Sequence, residues 1–519
     1  MKSLYLYDKL SSVLSDVRRA AANAAEMNPL IKSQKTPAFH WMAWGGAIGF
    51  GIAATLFSLD VLQRFPNSAD EFAFLFQARL FAEGKIWMPA HPLQAVFSPF
   101  FIIQHENKVF SLFPPGWPAL LAAGVKVGVP FCINPILGAA SLVVLYHLAR
   151  HLTGKGGGGI AMGLLAFSPT YLFNSASWFS HPFCLFCMVT SLYYFVRLGS
   201  DNAEWRLSLW AAGAGMFCAM AFATRELSAV CLLLLPLGYT AYRLRSRPAW
   251  MAWFGAGALP ILLVYGWYCH QVTGTWFMPP RFLAPGESLG FGWREIHVWD
   301  YVERQYFGPR EALVFTIHHL GRLLLWTFPA LPLLALAGVI HGWKDPWMKI
   351  FFFSTLLQIA GYGFYPSAGG NQYGPRFYYE SLPCLCLLAT RTVLRWKPCF
   401  STRSLVTAAA LLLMFDLSLT TEFSQRVAEQ IGQRRTLYRL VERRELNHAL
   451  VFVGAPSGDM TQGDLIRNEP GWENAPVIYV WDLGERNREA RKAFPARAAY
   501  RFGVNPETGA AYLESLTPE

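Results

Sequence analysis

The sequence predicts an all-α polytopic membrane protein with a small C-terminal α/β extracytoplasmic domain. Three observations lead there. Apolar segments close to 20 residues long recur between residues 41 and 421, and about 20 apolar residues in a helix span a hydrocarbon core ~30 Å thick. Only 15% of residues are charged and 53% are hydrophobic, with a mean hydropathy of +0.27, whereas soluble domains carry about 25% charged residues. After residue 422 the pattern changes to short β-rich runs separated by Gly, Pro, Asn and Asp, which is the pattern of strands and turns.

Taken in order, residues 1–40 are polar, lack the apolar core of a secretory signal, and are expected to form a cytosolic tail. Spans are expected at 41–61, 133–150, 158–175, 182–198, 207–223, 227–243, 250–269, 316–340, 349–364, 380–396 and 404–421, about eleven in all. Together they make a transmembrane domain, 41–422, with a long external loop at 62–116. The segment 117–131 is apolar but short and contains Lys126; it is expected as a re-entrant or surface helix. Nineteen Trp and twenty-one Tyr fit aromatic belts at the two interfaces. In the last domain, 423–519, Leu450 to Gly454 and Val477 to Trp481 read as strands and Asn487 to Ala493 as a helix.

Charge sets the expected orientation. Residues 1–40 hold six Lys/Arg against three acids, and Arg243, Arg245 and Arg247, then Lys344 and Lys349, then Arg391, Arg395, Lys397 and Arg403 make basic loops. Basic loops face the cytoplasm. The loops 62–116 and 270–315 are balanced in charge and should face the exterior. The net +11 therefore reports topology and not nucleic-acid binding. Six arginines just after the last span (Arg426, Arg434, Arg435, Arg439, Arg443, Arg444) pull against this, but 423–519 balances at thirteen basic against thirteen acidic residues and is expected outside.

Most of the nine cysteines lie in apolar spans, as small buried hydrophobes do. Cys184 and Cys187 form a CxxC without a second pair. No dinucleotide, phosphate-loop, HExxH or Ser-His-Asp pattern is present; the glycines at 156–159 lack the Lys-Ser/Thr of a phosphate loop.

The first external loop carries the chemistry. Asp70 and Glu71 follow the first span directly, and Ser68 stands three residues before Glu71, the spacing of a capping box. Phe72, Leu75, Phe76, Leu80 and Phe81 then fall on one helical face, expected to lie in lipid at the membrane surface. Further on come Ser111-Leu-Phe-Pro-Pro-Gly-Trp-Pro118, Asn174-Ser-Ala-Ser-Trp-Phe-Ser-His181, and Gly374-Pro-Arg-Phe-Tyr-Tyr-Glu-Ser-Leu-Pro383.

This ordered set resembles membrane glycosyltransferases of the glycosyltransferase-C fold, in particular the group with protein O-mannosyltransferases and lipid A aminoarabinose transferases. It covers roughly residues 41–396. The family often has Lys before Pro-Pro; here Phe113 stands there and the nearest upstream cation is Lys108. The resemblance implies transfer of a sugar from a polyprenyl-phosphate donor to a glycolipid, polysaccharide or protein acceptor outside the cytoplasm, in a bacterial inner membrane.

In such a reaction a carboxylate takes the proton of the attacking hydroxyl. Asp70 is the expected base, in a single inverting displacement, and Glu71 would orient Asp70 or the acceptor. Cations stabilise the leaving phosphate: the expected set is Arg376, Arg225, Lys108 and His181, with Arg281 and Arg310 behind them. For Arg225 the structural alternative is a pair with Glu226, its neighbour in a short turn. Tyr373, Tyr378 and Trp178 are expected to line a sugar or lipid groove. No cofactor is expected; Mg²⁺ or Mn²⁺ on Asp70, Glu71 and a loop acid such as Glu287 is the less favoured arrangement. The alternatives of another class are a lipid-linked oligosaccharide flippase or transporter and a polysaccharide polymerase, but intramembrane charges are sparse (Asp416, Lys126) and no internal repeat is visible.

Overall fold

The computed structural model describes residues 37–519 except 201–202, 285–288, 299–300, 368–371, 455–464, 506 and 517–519. The expected tail up to residue 36 and Glu287 lie outside the described residues. The molecule divides into a short N-terminal unit ending at Gly45 and a main unit, Gly46–Glu519. Of the first, the described part is the opening of helix α1 (Pro37–Asp60).

Helices form at every expected span, but they are not equivalent. Among the described residues, five are long and apolar enough to cross a membrane: α1, α4 (Ile133–Thr153), α7 (His181–Leu198), α10 (Ala249–Thr273) and α15 (Thr402–Arg434). A sixth candidate, a broken span or a re-entrant loop, is the pair α11 (Pro309–Trp326) and α12 (Leu331–Gly342), bent by 100°. Pro329 lies in the break and Ala330 is left-handed at φ 67°. Proline removes a backbone donor and pushes its predecessor out of the helical region. The segment expected at 158–175 is likewise two helices, α5 (Gly157–Ala166) and α6 (Pro169–Ala176), with Pro169 starting the second. The remaining bundle helices are α8 (Glu204–Phe222), α9 (Glu226–Arg243), α13 (Pro346–Tyr362) and α14 (Leu382–Trp396).

Two helices accompany the acid loop. Residues 69–82 form α2 (Ala69–Ala82), and the short apolar segment forms α3 (Gly116–Lys126), which leads through a 3₁₀ turn, Pro130–Cys132, into α4. Strands β1 (Met88–Pro89), β2 (Ile102–His105) and β3 (Lys108–Ser111) make an antiparallel sheet in order β1-β3-β2. The Pro-Pro-Gly motif explains the docking of α3. Gly116 N–H donates to the Ala223 carbonyl at 2.9 Å, and a Cβ at Gly116 would stand 2.6 Å from Thr224 Oγ1. Only glycine lets the backbones approach this closely. A second hairpin, β4 (Gly292–Val298) and β5 (Tyr301–Phe307), precedes α11.

The C-terminal segment contains the expected strands and helix as β6 (Ala449–Val453), β7 (Val477–Trp481) and α17 (Asn487–Ala493), after α16 (Thr436–Arg443). The sequence reading missed β8 (Ala498–Val504) and β9 (Ala511–Leu516). The sheet order is β7-β6-β8-β9, with β6 parallel to both neighbours and β9 antiparallel to β8.

This sheet corrects the reading of α2. The face expected to lie in lipid is buried in protein: Phe72, Phe76 and Leu80 are 4%, 1% and 0% exposed, in one core with Leu450, Phe452, Trp472 and Ile478. Asn468 Nδ2 donates to the Phe97 carbonyl at 2.8 Å, Trp481 Nε1 to the Ser98 carbonyl at 3.0 Å, and Arg79 pairs with Glu469. The sheet and the first loop are thus one packed body. The arginines after the last span also find partners here. Helix α15 runs on to Arg434, whose guanidinium donates to the Asn67 carbonyl, and Arg435 donates to Gln63 Oε1 at 3.0 Å. The C-terminal segment therefore lies on the same side as the acid loop.

Candidate active site

Neighbouring residues in a helix point about 100° apart, and the acid pair separates accordingly. Ser68 caps α2, its Oγ accepting from Glu71 N–H at 3.3 Å. Glu71 is fully buried: Oε2 accepts from Asn67 N–H at 2.7 Å and Oε1 from Trp178 N–H at 2.9 Å. Asp70 faces outward, its side chain 21% exposed, and Oδ2 accepts from Arg376 Nη1 at 2.8 Å. The structure thus joins two residues that the sequence offers separately.

Arg376 is placed by its backbone. Tyr373 and Gly374 have φ of 60° and 102°, and the Tyr373 carbonyl accepts from Thr170 Oγ1 at 2.8 Å and Asn174 Nδ2 at 3.1 Å. A Cβ at Gly374 would lie 2.6 Å from Thr170 Oγ1. The next turn, Arg376–Ser381, is 3₁₀ and wholly buried. The guanidinium lies over the Phe179 ring, 3.9 Å from its centroid, a cation–π contact. Its Nε is buried with no hydrogen-bond acceptor among the described residues.

The same turn carries a second polar cluster, centred on Glu380, a residue that the sequence offers only as part of a motif. Its Oε1 meets His181 Nδ1 at 2.8 Å and Arg225 Nε at 3.2 Å; Oε2 accepts from Ser228 Oγ and Gln358 Nε2, both at 3.3 Å. Arg225 Nη2 also donates to Tyr362 Oη at 3.0 Å. Arg225 therefore pairs with Glu380, and Glu226 instead accepts from Tyr265 Oη at 2.8 Å. His181 and Arg225, expected at the phosphate, are drawn into this scaffold.

One turn serves both clusters. Within residues 177–181, Trp178 N–H holds Glu71, the Phe179 ring carries Arg376, and His181 binds Glu380. Removing one partner of a buried ion pair costs about 3–5 kcal/mol. Because Arg225 retains 18% exposure against 0% for Glu380, Glu380→Ala is expected toward the lower end, about 3 kcal/mol, read as a lowered melting temperature. A change below about 0.5 kcal/mol would show that the cluster does not support the turn.

The other expected residues are placed differently. Lys108 Nζ donates to the Gln271 carbonyl at 2.9 Å, lies 3.6 Å from Glu106 and sits over Trp87; none of its partners belongs to the Asp70 cluster. Tyr373, Tyr378 and Trp178 are 1%, 1% and 6% exposed, so they are packed interior rather than lining of an open groove. Trp178 also takes Trp117 Nε1 on its carbonyl at 2.8 Å. The two acids have diverging partners, and among the described residues no group of three His, Cys, Asp or Glu is arranged to hold a metal ion. Missed by the sequence reading are Glu380, Asn67, which is fully buried and bonded to Arg434 and Gln430, and His319.

Burial raises the Glu71 carboxyl from 4.5 to about 7; the bonds from Trp178 and Asn67 and the charges on Arg376 and Arg467 oppose this without cancelling it. The folded protein then binds this proton more tightly than the unfolded chain. Its contribution to stability is full below pH 4.5 and is lost as pH rises through about 7. The loss is on the order of 3 kcal/mol. Denaturant unfolding of the wild type between pH 5 and 8 is expected to show this slope, and Glu71→Gln to flatten it. Parallel slopes would remove Glu71 as the cause.

Similarity to solved structures across nearly the whole chain defines the class: the chain has the glycosyltransferase-C fold. Its architecture is similar to that of ArnT from Cupriavidus metallidurans bound to undecaprenyl phosphate, with a TM-score of 0.56 and 11% identity over 91% of this chain and 94% of that one. The apo state of the same protein gives 0.55 and 13% over 89% and 93%. The apo oligosaccharyltransferase of Archaeoglobus fulgidus gives 0.41 and 13% over 81% and 64%. No family model and no curated protein sequence matches the chain.

Proposed function

We propose that this protein is an integral-membrane glycosyltransferase that moves a sugar from a polyprenyl-phosphate donor to an acceptor hydroxyl outside the cytoplasm, with inversion at the anomeric carbon. The observation that carries this reading is the Asp70–Arg376 pair at 2.8 Å in a glycosyltransferase-C fold. An acceptor hydroxyl is a poor nucleophile near neutral pH. Asp70, partly exposed at the head of α2, takes its proton as the oxygen attacks the anomeric carbon. The bond from that carbon to the phosphate oxygen breaks, and its electron pair leaves with the phosphate.

Arg376 serves both partners. One nitrogen orients Asp70, and the buried Nε without an acceptor is available to the phosphate as charge grows there; such preorganised donors are worth most where water is excluded. Glu71 is a positioning residue that fixes the head of α2 to the 177–181 turn. His181 and Arg225 act through Glu380 to hold the same turn. The acceptor is a glycolipid, polysaccharide or protein, and the site faces the periplasm or exterior of a bacterial inner membrane. The purified full chain, given a panel of polyprenyl-phosphate sugars and candidate acceptors, is expected to yield a glycoside of inverted configuration. A folded protein that binds polyprenyl phosphate but transfers from none of the donors would overturn the reading.

A further inference from the structure

His319 of α11 is 3% exposed, and neither of its ring nitrogens has a hydrogen-bond partner among the described residues. Buried polar groups almost always find partners, so an orphaned imidazole calls for an explanation. Its surroundings supply one. The ring packs against Phe377 at 5.1 Å and Tyr378 at 5.8 Å, the two residues that follow Arg376. Arg322, one turn further along α11, and Arg376 both act on it electrostatically, as does His318. The ring of His318 also lies 5.9 Å from that of His319, so four nitrogen-bearing side chains from α11 and the 376–381 turn are within electrostatic reach of one another, and one of them already holds Asp70. An imidazole offers one donor and one acceptor, and beside two guanidiniums the complementary group is an anion with oxygen acceptors.

Resting on the transferase reading above, we propose that His319 is a donor-contacting residue, its ring N–H directed to a phosphoryl oxygen of the polyprenyl-phosphate carrier. The contact transfers no proton. It strengthens as the glycosyl–oxygen bond breaks and negative charge settles on the phosphate, while the acceptor proton goes to Asp70. The bent α11–α12 pair is then a substrate-binding element.

The test uses the purified full chain in nanodiscs, comparing wild type, His319→Ala, His319→Gln and, as a folding control, Ile317→Ala, a residue 59% exposed. Binding of polyprenyl phosphate is measured directly, beside inorganic phosphate and phosphatidylglycerol, and transfer kinetics are recorded where a donor is found. Loss of one hydrogen bond to a charged group predicts about tenfold weaker polyprenyl-phosphate binding in His319→Ala, with KM for the donor raised and kcat lowered. Retention within about threefold is expected in His319→Gln, which keeps an N–H donor. Equal binding by wild type and His319→Ala would overturn the proposal while leaving the transferase reading intact. So would a Gln variant as weak as Ala, which would mark a packing role. Phosphatidylglycerol binding with the same His319 dependence would make this a general headgroup site and overturn the donor assignment. Failure of the folded wild type to bind polyprenyl phosphate would overturn both.

Discussion

Asp70→Asn is expected to lower the rate of sugar transfer by ~10²–10⁴-fold, the contribution of a positioned general base, with the melting temperature little changed. The amide is isosteric and its oxygen can still accept from Arg376, so the pair at 2.8 Å survives as geometry while the basic group is lost. The Arg376 side chain, 11% exposed against 21% for Asp70, loses its counter-charge but keeps the amide oxygen and the Phe179 ring as partners. A base defect appears in kcat, with the KM of the donor nearly unchanged, because the acceptor proton is shared with Asp70 only in the transition state. Single-turnover transfer with a saturating donor is the direct measurement. Survival of the rate within about tenfold would move the base elsewhere.

Arg376→Ala is expected to lower kcat/KM by ~10²–10³-fold, the usual cost of removing a preorganised donor from a developing oxyanion. Arg376→Lys keeps the charge but loses the planar fork and much of the stacking over Phe179, 3.9 Å from the guanidinium carbon. It should recover only part of the loss. The double variant Asp70→Asn with Arg376→Ala separates two accounts. If Arg376 acts mainly by orienting Asp70, the double variant is no slower than the slower single one. If it also serves the phosphate, the losses compound. Full activity in Arg376→Ala would remove it from the site.

What the sequence makes legible is local. Apolar length places the helices, the Ser68–Glu71 spacing places the head of α2, and alternation with turn residues places β6 and β7. Asp70 and Arg376 stand out as charges beside apolar segments. The rest is set by pairing across long stretches of chain. Periodicity shows that Phe72, Phe76 and Leu80 share a face; it does not say that a sheet beginning at Ala449 covers that face in place of lipid. Arg225 stands next to Glu226 in sequence, yet its ion pair is with Glu380, because Arg225 precedes α9 as its N-cap and its side chain faces the bundle interior. Glu380 lies in the 374–383 motif, but a carboxylate at the start of an apolar segment reads as an end charge until His181 and Arg225 are seen around it. Strands β8 and β9 escaped because half of their residues are exposed, which breaks the alternation that a buried strand shows.

The shared core of α2 and the C-terminal sheet has a consequence for the order of synthesis. The acid loop is made well before the strands that cover its apolar face, which begin at Ala449. At typical elongation rates the gap is on the order of tens of seconds. During that time Phe72, Phe76 and Leu80 lack their partners from the sheet, and the helix that carries Asp70 has only its own loop, α3 and β3 to pack against. Closure of the site is therefore a late, long-range event, of the kind that slows folding and exposes an intermediate to aggregation. A ribosome-stalled chain ending before Ala449 should hold its spans in place and still lack a formed active site.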